Sequence, residues 1–300
     1  MYRIGCNTVL ESRPCEDYTL QYYLELIEEY RQYSDFIKAL EFSHVDLISP
    51  EDGERIGNSA RQAGFETWSI HSEHLNVGDK FQDYYDLQKH EAEVCAALGC
   101  KVMVCHLPNL IPYIDFERDL DVIGKVAEIT RSCGVKLAVE TCGYYTSDKE
   151  FYGDADLVIK VVETLDMPDV GINLDSGHCF LADTNARQDR LDDILSGKKE
   201  QTLAALVKRI GKKLFTTHLQ DNFGLNDDHQ NPGMGYIDWN ILVPAILETG
   251  YQGPLMMELT DGPKARRTIH QLRQYPLEKE IISGGRYLQF LADKYGEQTV

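Results

Sequence analysis

Short runs of β-branched and aliphatic residues recur along the chain, each followed by a longer stretch in which apolar positions return with helical spacing. The runs are Arg3 to Asn7, Ala39 to Asp46, Phe65 to His71, Lys101 to His106, Val135 to Glu140, Val170 to Asp175, Lys213 to His218 and Pro254 to Glu258. They begin roughly 26 to 43 residues apart, room in each interval for one strand and one amphipathic helix. Leu20, Tyr23, Leu24 and Ile27 trace one such helical face, and Leu203, Leu206, Val207 and Ile210 another. Glycine closes four helical stretches, at Ala63-Gly64, Leu98-Gly99, Cys133-Gly134 and Thr249-Gly250, where a helix end needs a residue tolerant of left-handed backbone. Eight units of this kind predict an α/β fold, a single (β/α)8 TIM barrel over residues 1–300. The alternative, an open doubly wound sheet, expects a glycine-rich phosphate turn after the first strand, where Cys6-Asn7-Thr8-Val9 stands instead.

Composition narrows the partners. With 49 acidic against 30 basic side chains the formal charge is -19, so a nucleic acid or an anionic membrane meets net repulsion, whereas a small neutral molecule does not. No window approaches the roughly 18 apolar residues of a membrane span, and the first residues do not read as a leader. A cytoplasmic protein without nucleic-acid or membrane partners is expected, and a homo-oligomer is left open. The eight cysteines form no CxxC pair and read as reduced, mostly buried thiols. Two basic stretches, Lys198 to Lys213 and Lys264 to Arg273, read as solvated surface.

The apolar runs end on unusual residues. In a closed parallel barrel the C-terminal strand ends share one mouth, where catalytic groups collect. Here they are His71, His106, Glu140, Asp175, His218 and Glu258. One polar residue at a strand end is ordinary, but six in succession point to a shared ligand. Converging carboxylates repel one another unless a cation joins them. Mixed carboxylate and imidazole donors suit Mn2+, Co2+ or Zn2+ better than Ca2+, and the absence of cysteine from these ends argues against a closed structural zinc site. His178 follows Asp175 by three residues and is placed to face the same mouth. After His218 come Leu219-Gln220-Asp221-Asn222, then Asp227-Asp228-His229, a Pro232-Gly233-Met234-Gly235 turn and Ile237-Asp238-Trp239, with Asp238 a helix cap. His74 competes with His71, which directly ends its run. Tyr144 and Tyr145 after Glu140 are candidates for an apolar wall, as is Trp68, for which core packing is an equal explanation.

This strand-end set, with His-Leu-Gln-Asp-Asn, Asp-x-His and Pro-Gly-x-Gly-x-Ile-Asp-Trp, resembles the sugar phosphate isomerase/epimerase superfamily over nearly the whole chain. That superfamily shares its xylose isomerase-like barrel with endonuclease IV. The resemblance to its ketose 3-epimerase branch implies one metal, Mn2+ or a similar ion, held by Glu140, Asp175, His218 and Glu258. Glu140 and Glu258 would double as the acid/base pair for proton transfer through an enediolate. His178, His71, His106 and Tyr144 would contact a carbohydrate substrate. Those epimerases tend to carry an arginine in the loop after the seventh strand, and Asp221 to Gly235 has none. His71, His106, Glu140, Asp175, His178, His218, Asp227, His229 and Glu258 also match the residue types of the endonuclease's three-zinc cluster, so Asp227 and His229 are candidates for a further ion. The central Asp228 departs from that enzyme's Asp-Arg-His, and the acidic chain suits phosphate gripping poorly. The expected activity is metal-dependent sugar isomerisation or epimerisation. A lyase or dehydratase on a keto-sugar or cyclic polyol would use the same site, an endonuclease IV-like phosphodiesterase is a lesser alternative, and a non-catalytic binding barrel would not need both glutamates.

Overall fold

The computed structural model describes residues 2–8, 17–73, 81–108, 115–259 and 277–296. The predicted runs form strands β1 (Ile4–Asn7), β2 (Ile37–Ser43), β3 (Glu66–His71), β4 (Val102–Cys105), β5 (Lys136–Glu140), β8 (Val170–Asp175), β9 (Leu214–His218) and β10 (Leu255–Met257). β6 (Gly143–Tyr145) and β7 (Phe151–Gly153) form a separate antiparallel hairpin that the sequence reading did not anticipate. The eight others make one parallel sheet in the order β10-β1-β2-β3-β4-β5-β8-β9, which follows the chain without the reversal of a doubly wound sheet.

β10 has only three residues, so the two end strands meet through a short seam. Leu219 N donates to Met256 O at 2.8 Å, and Met256 N donates to the Thr217 hydroxyl at 3.1 Å. This seam brings the sheet round into the (β/α)8 barrel that the eight-unit rhythm predicts. Where strand bounds depart from the apolar runs, backbone geometry gives the reason: β2 stops at Ser43 because His44 adopts a left-handed φ of 57°.

The helices bury part of the faces expected of them, with Leu20, Leu24 and Leu206 only half-buried. Leu20–Tyr30 turns Tyr23, Ile27 and Tyr30 inward, and Leu203–Ile210 buries Leu203, Val207 and Ile210. The four predicted helix-closing glycines, Gly64, Gly99, Gly134 and Gly250, all have positive φ. The unusually long interval between β8 and β9 is filled by two extra helices, Ser176–Thr184 and Gln188–Leu195. The first basic stretch lies on the surface: Lys208 pairs with Glu248 at 3.1 Å and Lys198 with Asp193 at 3.1 Å. The second, Lys264 to Arg273, lies outside the described residues, as do His74 and Cys15. The other seven cysteines are free, five of them buried. No helix among the described residues is long and apolar enough to cross a membrane.

Most of the core lies between sheet and helices. A smaller cluster of Ala39, Trp68, Val102, Val104, Ala138 and Met256 fills the barrel itself. Trp68 Nε1 reaches across to the Thr216 hydroxyl at 3.1 Å, with Arg3 and Lys101 over its ring. Of its two readings, core packing holds, because Trp68 plugs the barrel near the N-terminal strand ends.

Candidate metal centre

Strand register sets the level of each donor. β5, β8 and β9 end on Glu140, Asp175 and His218, and Asp175 pairs directly with His218 across the ladder. Glu258 follows β10, His71 ends β3 and His106 follows β4. Glu140, Asp175, His218 and Glu258 each offer one ligand atom, all within 4.8 Å of one another. The same spacing holds for His71–His106–Glu140, for His71–His218–Glu258 and for His178–Asp227–His229, so all nine residues singled out from the sequence converge on one mouth.

Local structure holds them there. Asp175 is at once the last strand residue and the N-cap of Ser176–Thr184: its Oδ1 accepts from His178 N at 2.7 Å. That cap fixes His178 in the first helical turn, with Nδ1 3.4 Å from Glu140 Oε1 and Nε2 3.1 Å from Asp227 Oδ2. Glu140 receives Asn173 Nδ2 at 2.9 Å and lies 3.4 Å from both His71 Nε2 and His106 Nε2. His218 Nδ1 stands 3.0 Å from Glu140 and 3.2 Å from Glu258. His229, with a left-handed φ of 44°, brings Nε2 to 3.1 Å from Asp227.

Charge explains how so many ionisable groups tolerate burial. Burial would raise Glu140 and Glu258, yet imidazolium neighbours led by His218 hold Glu140 well below the carboxylate range and Glu258 down to about 2. Burial pushes Asp175 up to about 7; His178 opposes the rise, and the charges of Glu140 and Glu258 add to it. His178 and His218 are raised well above the ordinary imidazole value and His71 and His229 to about 9, because carboxylates outweigh the burial that would lower them. His106 is lowered, burial prevailing there. The imidazolium charges thus balance the carboxylates as a cation would. Asp175 Oδ2, His218 Nδ1 and Glu258 Oε2 are buried without a hydrogen-bond partner, and each of these residues offers a ligand atom within 4.8 Å of those of the others. Once the His218 ring gives up its proton, this donor set fits a divalent ion.

The hairpin forms one side of the mouth. Tyr144 stands opposite Tyr152 and Tyr145 opposite Phe151, so the pleat puts the two pairs on different faces. Phe151 lies parallel to the His178 imidazole, centroids 6.3 Å apart, and meets Tyr145 edge-on at 5.1 Å. Tyr144 instead stacks on Tyr152 at 6.0 Å. The ring pair beside His178 is therefore Phe151 and Tyr145, while Tyr144 lies with Tyr152 on the other face of the hairpin.

The sequence alone assigns no role to two polar residues at the site, Gln220, seen only as part of the motif after His218, and Glu41. Gln220 Nε2 bridges Asp175 Oδ1 at 3.3 Å and Asp227 Oδ1 at 3.0 Å, joining the four-donor group to the His178–Asp227–His229 group. Glu41, fully buried on β2, lies with Oε1 2.9 Å from His218 Nε2. Its signal was a carboxylate inside the apolar run Ala39-Leu40-Glu41-Phe42, away from the run's end where ligands were sought.

Among curated proteins, the inosose isomerase of Bacillus subtilis (strain 168) is 25% identical over 182 residues, 56% of each chain. Two solved structures superpose over almost everything: an L-ribulose 3-epimerase, TM-score 0.70 at 15% identity over 99% of this chain and 97% of that one, and the IolI protein with a bound zinc atom, TM-score 0.65 at 18% identity over 97% and 99%. At such identities the superpositions speak for the fold. The model of the xylose isomerase-like TIM barrel family matches residues 33–275, most of the chain, and the protein belongs to that family.

Proposed function

We propose that the protein is a metal-dependent isomerase or epimerase of a sugar or sugar derivative, with Glu140, Asp175, His218 and Glu258 as metal ligands. The observation that carries this reading is the convergence of those four donors from four strands, three with unpartnered buried atoms. The names of the similar proteins, an inosose isomerase and an L-ribulose 3-epimerase, support it. Mn2+, Co2+ or Zn2+ suits the donor set. Such an ion would supply Lewis acidity, polarising a substrate carbonyl and acidifying the neighbouring C–H.

The chain's own groups do the rest. Glu140 and Glu258 hang from different strands, and both are ionised and able to accept a proton at neutral pH. One carboxylate removes the proton on carbon, and the other, after taking a proton from solvent, returns one while the first gives its own up to solvent; return to the same carbon from the opposite side epimerises it, and return to the neighbouring carbon isomerises the sugar. His71, His106 and His178 present ring nitrogens to substrate oxygens, and Tyr145 with Phe151 walls the apolar side. Turnover of ketose and keto-polyol substrates in D2O tests this. One solvent deuterium per turnover in a product of otherwise unchanged composition is expected, whereas loss of water or of a leaving group would replace the reading by the lyase one.

The groups around His106 and around Asp227 and His229 favour a second reading, in which further ions are bound and a phosphodiester is the substrate. The net charge of -19 weighs against it. Elemental analysis of the purified protein separates the two: one ion per chain is expected, three would favour the phosphodiesterase.

Metal loading should also depend on pH. A ligating imidazole must be neutral, but in the metal-free protein His218 is raised well above the usual range, and Asp175 is raised to about 7. Binding therefore releases protons, and affinity rises with pH by roughly tenfold per unit for each proton displaced. Chelator competition is expected to give a rising affinity for Mn2+ from about pH 6 to 8. A flat profile would contradict the assigned ligands.

A further inference from the structure

The His218 ring has two sides, and only one faces the proposed metal. Nδ1 points at Glu140 and Glu258, while Nε2 lies 2.9 Å from Glu41 Oε1 on the far side. Glu41 is itself positioned: the Ser69 hydroxyl on β3 donates to its Oε2 at 2.6 Å, and both residues are fully buried. Nothing at the mouth requires a carboxylate on β2 at that depth. It lies outside the four converging donors, and a buried charge there is unfavourable unless something uses it.

We propose that Glu41 is the positioning residue of the metal ligand His218, acting from behind the imidazole. A carboxylate beside Nε2 favours the tautomer protonated there, which leaves the Nδ1 lone pair free for the ion, fixes the ring plane and makes Nδ1 more basic. The Nε2 to Oε1 approach is an ion-pair contact without the alignment of a full hydrogen bond. Ser69 and the barrel packing hold the carboxylate against the ring, so the chain Ser69, Glu41, His218 runs from β3 through β2 to β9 across the barrel interior.

This inference rests on the proposed metal site, and its test separates the two. Titration calorimetry with Mn2+ and Zn2+ compares the wild type with Glu41→Gln, which keeps the side-chain volume and removes the charge. A loss of affinity of about 10- to 100-fold is expected in a variant that circular dichroism shows to be folded. In the zinc-loaded protein, 15N spectra of labelled histidine are expected to show His218 with a proton on Nε2, its resonance shifted in Glu41→Gln, which a side chain that merely fills space would not cause. Ser69→Ala, which removes only the hydroxyl donor, is expected to weaken binding in the same direction by a few-fold, and it carries the test should Glu41→Gln not fold. Unchanged affinities in both variants, with a wild type that binds, would overturn the role of Glu41 and leave the metal site standing. A wild type that takes up no ion would overturn both.

Discussion

Replacing Glu140 by glutamine is expected to lower kcat by about 10²- to 10⁴-fold, the usual contribution of a positioned acid or base. Glu140 stands in two ligand groups at once, with Oε2 beside His71 and His218 and Oε1 beside His106 and His178. Its carboxyl is held well below the usual range by those imidazoles, so what glutamine removes is a full negative charge in a buried site. The amide would also turn an NH2 toward ring nitrogens that are themselves donors when protonated. Metal content should fall together with kcat. Glu258→Gln is expected to lower kcat by a comparable factor while leaving the His71–His106–Glu140 group whole, so the retained ion content of the two variants tells ligand from proton carrier. Full activity in both would end the proposed mechanism.

Much of this was legible because strand ends in a parallel barrel are marked twice, by where an apolar run stops and by what stops it. Val170-Gly171-Ile172-Asn173-Leu174-Asp175 became β8 without a change of bounds, since burial on both faces leaves no polar alternation to blur them. His178 was reached through spacing alone, and its place follows from Asp175 serving as N-cap. The hairpin was not legible. Its strands have three residues each, too few for a period-2 signal, and what holds its base is tertiary: Cys142 N donates to Asp154 Oδ1 at 2.7 Å and Asp154 N to Cys142 O at 3.1 Å. Without that hairpin the sequence does not separate Tyr144 from Tyr145, both candidates for the wall; the pleat puts Tyr145 on the face of Phe151, beside His178, and Tyr144 on the other. Glu41 was missed for a different reason. A donor acting from behind a ligand sits one layer deeper than the strand end, and there a single glutamate in an apolar run looks like an interruption.

Asp221 shows the converse, a motif residue whose work is structural, and its replacement by alanine is expected to cost about 3–5 kcal/mol of stability. The carboxylate is fully buried and gathers the loop after β9 around itself. Oδ2 accepts from Trp239 Nε1 at 2.7 Å and from Gly233 N at 3.0 Å, and Oδ1 from Asn222 N at 3.0 Å and Ile237 N at 3.2 Å. The two glycines of the turn fit this knot. Gly233 has a φ of 88°, and a Cβ on Gly235 would fall 2.2 Å from Asn222 O and 2.3 Å from Asp221 Oδ1. Alanine would leave an indole N–H and several amides without acceptors in a place with little access to water, each worth about 1–3 kcal/mol and not simply additive. Asparagine keeps Oδ1 but sets an amide NH2 against the donors at Oδ2, and about 1–3 kcal/mol is expected for it. Urea unfolding followed by tryptophan fluorescence reads both. Asp227 and His229 hang from the same loop, through the paired Asp221 and Gln230 backbones. The asparagine variant should therefore lose the His178–Asp227–His229 group before it loses the four-ligand core, and an unchanged midpoint would mean that the loop is held by something other than Asp221.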